Sequence, residues 1–193
     1  MMDITNGEDP ASPFRTPIIN ITGHNAEGRA IVQEVINEPL QAYRGMNTRH
    51  TLVWTGAFPP DLNDDADLKD FQKAKARNEL AIVRPGGVVC RIVDFGPNNR
   101  VMMHRTQSLD FGVVMNGTIE MELDDGQVTT LTAGDVAVQR ATMHAWRNPS
   151  KTEWARLLFV LQDSKPLEIC GRRFKEDLGT LGHQVFPDSG NDV

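Results

Sequence analysis

GPNNRVMMHRTQSLDFGVVMNG, residues 96–117, and GDVAVQRATMHAWRN, residues 134–148, are the two stretches from which the fold can be read. Each begins at a glycine and runs through alternating apolar and polar residues, the period-two pattern of a strand with one buried face. His104 lies in the first stretch, His144 in the second, and Asp110 follows His104 by six residues. Alternation puts Met102, His104 and Thr106 on one face of a strand, with Met103 and Arg105 on the other. Asn116-Gly117, between the apolar segments 109–115 and 118–123, is a residue pair that favours a two-residue hairpin turn. That turn would bring Asp110 toward the first histidine. His144 would converge from a separate strand, with Trp146 and Asn148 on its face.

Outward from this centre the chain is a series of short strands. Segments 17–24 and 28–36, rich in isoleucine and valine, flank Asn25-Ala26-Glu27-Gly28 and predict an early hairpin. Further strands are expected over 50–56, 88–95, 127–131, 135–139 and 154–161. Turns fall at Arg84-Pro85-Gly86-Gly87, Gly96-Pro97-Asn98-Asn99 and Asp124-Asp125-Gly126. Residues 37–48 read as irregular connection. Apolar spacing allows one short amphipathic helix over 66–80 and a second over 172–178. The acidic run 61–70 lacks the ligand order of a calcium loop and reads as a solvated surface. Many short strands broken by Gly, Asn, Asp and Pro predict an all-β sandwich or barrel. The division expected is an N-terminal arm (1–16, mobile), a β domain (17–165) and a C-terminal extension (166–193) with loose final residues.

The two stretches resemble the paired signature motifs of the cupin superfamily. Its first motif, G-x5-H-x-H-x3,4-E-x6-G, is met by His104 and Gly117, with Thr106 in place of the second histidine and Asp110 in place of the glutamate. Gly96 stands two residues further from His104 than the pattern asks. The second motif, G-x5-P-x-G-x2-H-x3-N, is met by Gly134, His144 and Asn148, with Gln139 at the proline, Ala141 at the glycine and one residue fewer after Gly134. HRTQSLDFGVV and QRATMHAWRN are also similar to segments of small single-domain cupins, and this likeness spans residues 20–163. The resemblance implies a double-stranded β-helix, the jelly-roll barrel, here with an N-terminal β extension and short helical segments. It also implies a pocket at the barrel mouth and, because related cupins pair through their sheets, a homodimer that uses the early strands.

Two imidazoles and one carboxylate allow two chemistries. His104, Asp110 and His144 could ligate one divalent metal, iron, zinc or manganese, with open positions for water or substrate. Alternatively the same three residues move protons, an imidazole serving as base or acid and Asp110 orienting it. A plainer reading makes the histidines and the carboxylate paired structural groups. Thr106, Met102, Trp146, Arg91 and Trp54 are the candidate substrate-binding residues, with core packing the alternative for Trp54 and an ion pair for Arg91. His50 opens a strand within possible reach of the pocket, whereas His24 and His183 read as surface residues.

Three functions follow from the resemblance, since cupins host many reactions. The first is a lyase, dehydratase or decarboxylase, or an isomerase, acting on an oxygenated, polyketide-like or aromatic metabolite. The second is an iron-dependent dioxygenase and the third a non-catalytic metabolite-binding barrel. A formal charge of −6 gives no basic footprint for nucleic acid. No apolar run approaches the ~18 residues of a membrane span, and residues 1–14 lack a signal-peptide pattern. Two cysteines, Cys90 and Cys170, form no disulfide framework, and a reduced, cytoplasmic setting is expected. No Ser/His/Asp order, phosphate loop or dinucleotide fingerprint is present.

Overall fold

The structure is a computed structural model and describes residues 10–43, 45–77 and 81–192. The early hairpin forms as its sequence predicts. β1 (Ile19–His24) and β2 (Ala30–Ile36) pair antiparallel, and Asn25 Oδ1 closes the turn by accepting from the Glu27 and Arg29 amides. The connection expected to be irregular contains β3 (Gln41–Tyr43), a short edge strand on β4 (Thr48–Ala57). The first predicted helix is α1 (Ala66–Arg77), and the expected continuation over 78–80 lies outside the described residues. The barrel strands follow: β5 (Gly87–Phe95), β6 (Ser108–Asn116), β7 (Thr118–Leu123), β8 (Val128–Thr132), β9 (Val136–Arg140), β10 (His144–Arg147) and β11 (Ala155–Asp163).

Two antiparallel sheets face each other. One has the order β3-β4-β5-β11-β6-β9 and the other β10-β7-β8. Alternation decides what points inward. On β6, Ser108, Asp110, Gly112 and Val114 are buried while Phe111 is exposed; on β9, Ala137 and Gln139 turn in while Val136 and Val138 turn out. Val93, Phe95, Val114, Ile119, Trp146 and Leu157 join the two sheets into one apolar core. Each such large side chain contributes about 1.5–3 kcal/mol through burial. This is the double-stranded β-helix that the motifs implied.

Asn116-Gly117 is not a hairpin turn. β6 pairs with β11 and β9, whereas β7 pairs with β10 and β8, so the dipeptide marks the corner where the chain changes sheets. Gly117 is required there for two reasons. Its φ is +77°, and a Cβ would stand 2.5 Å from the Trp154 carbonyl oxygen. The strand expected through Met102, His104 and Thr106 is also absent. His104 bridges to His144 while the next residue, Arg105, bridges to Asp177, and these diverging partners prevent a continuous ladder.

The two ends of the described chain are tied down by polar contacts. Asp94 and Arg156 form a buried bidentate pair at 2.6 and 2.8 Å, and the arm completes its hydrogen bonding. Ser12 Oγ donates to Asp94 at 2.5 Å, Arg156 donates to the Arg15 carbonyl at 2.9 Å, and Phe14 lies under the guanidinium. Residues 12–15 of the expected arm thus rest on the barrel, and residues 1–9 lie outside the described residues. The predicted helix over 172–178 is instead a hairpin strand. β12 (Leu167–Ile169) pairs with β13 (Arg172–Phe174), and only the single turn α2 (Gly179–Gly182) follows. The described end of the chain makes specific contacts: Asn191 donates to Gln107 and Asp163, and Ser189 donates to Glu176. Leu178 and Phe186 pack the extension against Ile82, Val83 and Leu161. No described helix is long and apolar enough to cross a membrane.

Candidate active site

His104 and His144 are joined first through the backbone. Each amide donates to the other's carbonyl at 2.9 Å, so the residues lie directly opposite and their ring centroids come to 4.4 Å. Each ring is then fixed by its own chain two residues upstream. His104 Nδ1 lies 3.0 Å from the Met102 carbonyl and His144 Nδ1 lies 2.9 Å from the Thr142 carbonyl. A carbonyl oxygen has no proton to give, so Nδ1 must be the protonated nitrogen in each bond. Nε2 is left with its lone pair in both rings.

Asp110 enters the same cavity from the inward face of β6, opposite Gln139 on β9. Its Oδ2 accepts a long bond from Thr106 Oγ1 (3.4 Å), while Oδ1 is buried with no hydrogen-bond partner among the described residues. Burial pushes the Asp110 carboxyl up to about 6, although the Ser108 and Thr106 hydroxyls oppose the shift. Burial also drives His144 down to about 3, with the neighbouring His104 adding to the effect, and burial lowers His104 as well. At neutral pH the site therefore holds two uncharged imidazoles and one carboxyl group titrating near pH 6.

The cavity is small, about 110 Å³, and largely apolar. Trp146 and Phe159 meet edge to face at 5.3 Å to form one wall, and Met102 lies on another. Gly112 makes room for that wall, since a Cβ there would come 3.1 Å from Phe159 and 3.3 Å from Trp146. Arg91 also lines the cavity. Its Nη1 donates to the Tyr43 hydroxyl at 3.2 Å, and its Nη2 donates to the Ala81 carbonyl.

Five of the residues predicted from the sequence thus meet with His104 on one cavity: Asp110, His144, Met102, Trp146 and Arg91. Two predicted binding residues do not. Thr106 is fully buried behind Asp110, linked to it and to Ser108. Alternation puts Thr106 on the pocket only along a regular strand, and no strand forms there. Trp54 stacks on Phe71 at 4.7 Å in the separate core under the early hairpin. Asn148, the last position of the second motif, is a latch: its side chain donates to the Phe95 and Glu153 carbonyls. His24 and His183 stay on the surface, His183 facing Asp188 at 3.1 Å. Gln139, Tyr43, Phe159 and Phe186 line the cavity without having been singled out as site residues. Gln139 was legible as the polar residue on the inward face of β9. Tyr43 was hidden in a segment with no strand pattern.

Among the described residues, no group of three His, Cys, Asp or Glu side chains is arranged to hold a metal ion. The carbonyl-tethered Nδ1 atoms are the usual outer-shell support of metal-binding histidines. A facial iron site needs a carboxylate beside two imidazoles, and Asp110, although it lines the same cavity, does not close with His104 and His144 into such a group. The residues present do not by themselves fit a metal centre.

The cupin domain family matches residues 91–161, which contain Arg91, His104, Asp110 and His144. Along most of its length the chain is similar to Oryzines biosynthesis cluster protein J of Aspergillus oryzae, at 41% identity over 84% of this chain and 92% of that protein. It is equally similar to Phomopsin biosynthesis cluster protein D of Diaporthe leptostromiformis, at 41% identity over 96% of this chain and 97% of that one. A cupin-domain-containing oxidoreductase of Neurospora crassa, srdB, is 37% identical over 90% of this chain and 87% of its own length. Motifs, barrel and full-length relatives agree, and the chain belongs to the cupin superfamily.

Proposed function

We propose that this cupin is a biosynthetic enzyme that moves a proton on an oxygenated, partly apolar metabolite, as a lyase (dehydratase or decarboxylase) or an isomerase. The observation that carries this reading is the buried Asp110 carboxyl, with one unpartnered oxygen and a pKa near 6, beside two imidazoles held neutral. A catalytic group works best with its pKa near the operating pH, and an imidazole held at about 3 is a weak base. Asp110 is therefore the proton carrier in this reading. His104 and His144 accept hydrogen bonds at Nε2 and so orient a substrate hydroxyl. The biosynthesis-cluster names of two relatives support a metabolite substrate.

In the dehydratase form, the Asp110 carboxylate takes a proton from the carbon next to a carbonyl. The C–H electron pair moves into an enolate, to which the Arg91 guanidinium on the cavity wall is complementary. The enolate then re-forms the carbonyl and a carbon–carbon double bond while the β C–O bond breaks. The departing oxygen takes the proton back from Asp110 and leaves as water. In the isomerase form the proton returns to a different carbon. The apolar wall of Trp146 and Phe159 keeps the exchanged proton from solvent.

A second reading is an oxidoreductase, supported by the name of the Neurospora relative. Anaerobic turnover of β-hydroxy and aromatic carboxylic acids, followed by mass spectrometry, separates the two. Loss of water or carbon dioxide, or an unchanged mass with a moved double bond, supports proton transfer. Product that forms only in air and carries oxygen from O₂ supports the oxidoreductase. Tight binding without any conversion points to a metabolite-binding barrel.

A further inference from the structure

The inner cavity is too small for a whole metabolite. Small-molecule pockets commonly run to ~300–1,000 Å³, and about 110 Å³ holds only the reacting end. A second cavity of about 410 Å³ adjoins it, and the two share Tyr43, Arg91 and Phe186 as a common wall. We propose that these cavities are two subsites for one elongated substrate, with an apolar, carbonyl-bearing end at Asp110 and an uncharged amide or hydroxyl tail beside His50. The inference rests on the proton-transfer reading of the inner site and names the substrate class it takes.

His50 is the residue that the fold leaves unexplained. It stacks face to face on Tyr43, with centroids 3.9 Å apart and planes within 7°, and it lines the outer cavity. Its Nδ1 is buried with no hydrogen-bond partner among the described residues. A buried polar nitrogen left unmatched costs about 1–3 kcal/mol, which a ligand group can recover. Burial, reinforced by the Arg91 charge, drives the ring down to about 3. His50 thus presents a neutral ring with one donor and one acceptor, suited to an amide or a hydroxyl rather than to an anion. The remaining surroundings agree. Gln41 and Thr51 add uncharged polar groups, and the cations Lys75 and Arg91 are engaged by the protein, Lys75 with Glu38 at 2.7 Å and Arg91 with Tyr43 and Ala81.

Phe186 is the removable part of the shared wall. It comes from the C-terminal extension and contacts Tyr43 edge-on at 5.0 Å and Arg91 at 5.6 Å. Tyr43 and Arg91 are held by sheet pairing and hydrogen bonds, so reorienting one phenyl ring is the simplest way to join the cavities.

The test uses the full chain with ¹⁵N-labelled histidine side chains and two probes, 4-(acetamidomethyl)cinnamic acid and 4-butylcinnamic acid. The first has the amide tail, the second an apolar tail of similar length. The expected result is that the amide probe shifts the His50 and His144 ring signals with one Kd. His50→Phe keeps the stack on Tyr43 but should weaken the amide probe ~10-fold, while the butyl probe changes less than twofold. His50→Gln, which restores a donor and an acceptor, should recover part of the loss. Signals that shift at His144 and not at His50, an unchanged Kd in His50→Phe, or no shift at any histidine at ~10 mM probe, about tenfold above the upper end of ordinary substrate KM values, would overturn the proposal. Failure of the proton-transfer reading appears elsewhere, as turnover undiminished in Asp110→Asn, and leaves this binding result to be read by itself.

Discussion

His104 and His144 exchange both backbone hydrogen bonds at 2.9 Å, so the rings owe their position to the main chain and not to each other. Side-chain replacement should therefore remove the imidazoles without unfolding the barrel. His104→Asn and His144→Asn are expected to lower turnover ~10²-fold, the loss associated with misplacing the reacting group when a positioning contact is removed. His183→Ala, on an exposed residue, should leave turnover within twofold (about 0.4 kcal/mol). Circular dichroism with steady-state kinetics checks both statements. Exhaustive chelation is expected to leave turnover of the parent unchanged. Loss on chelation with recovery on iron(II) would favour the oxidoreductase.

Asp110 supplies a pH dependence with a definite sign. Its folded pKa of about 6 lies above the ordinary 3.8, so the folded protein holds this proton more tightly than the unfolded chain. That contribution to stability is complete below about pH 4 and is lost as pH rises through 6. Two pK units correspond to about 3 kcal/mol as an upper figure. Asp110→Asn removes the penalty and should raise the urea midpoint at pH 8 relative to the parent, with little change at pH 4. The same variant should lose most activity. In the parent, kcat/KM should rise through about pH 6 as the carboxylate forms. His144 works in the opposite sense: its folded pKa is depressed to about 3, so stability falls as pH drops below 6.5.

The motif spacing made the main site legible because it fixes strand positions that a barrel must bring together. His104, Asp110 and His144 could be read in that way. Thr106 could not, because its side chain was assigned by alternation and the backbone there makes only isolated bridges with divergent partners. Asn116-Gly117 suits a tight change of direction, and Gly117 has a positive φ, but the dipeptide does not say whether the next strand pairs with the last or crosses to the other sheet. The role of Tyr43 depends on contacts to His50, Arg91 and Phe186, which are distant in sequence except for the first. No local period could have shown it.

Asp94 and Arg156 are buried and bidentate, with the N-terminal arm completing their hydrogen bonds. Removing one member leaves the other charge stranded. Arg156→Met is expected to cost ~3–5 kcal/mol in denaturant unfolding. Ser12→Ala should cost only ~0.5–1.5 kcal/mol, as for one hydrogen bond, because the guanidinium still neutralises the carboxylate. If the two variants lose equal stability, the arm rather than the ion pair holds this region.

Gly112 tests whether the aromatic wall is set by space. A Cβ at this position would press on Phe159 at 3.1 Å and Trp146 at 3.3 Å, side chains that already meet each other at 5.3 Å. Gly112→Ala should displace that wall into the cavity and lower kcat/KM by ~10-fold or more, with a stability cost of ~1–3 kcal/mol from overpacking. Gly126→Ala is the control for backbone conformation, since it has a positive φ and open space around it and should affect stability alone.

The early hairpin is the remaining feature that the single chain does not complete. Its near half packs Ile19, Ile21 and Ile36 against Leu68, Phe71 and Trp54. The far half stands clear, with Ile31 41% and Val32 56% exposed although they point to opposite faces of β2; Val35 is 56% exposed. An isolated two-stranded ribbon is marginal in water, and its unpaired edges invite another strand. A second copy of the chain is the expected cover, giving a homodimer through β1 and β2. Light scattering at micromolar concentration should report twice the chain mass. Val32→Asp combined with Val35→Asp should shift it to the monomer while the far-ultraviolet dichroism stays that of a β protein. Val136 and Val138, exposed on the edge strand β9, offer the competing surface. If Val136→Asp with Val138→Asp dissociates the dimer and the hairpin pair does not, the contact lies on the barrel sheet. A monomer mass for the parent would remove the dimer altogether.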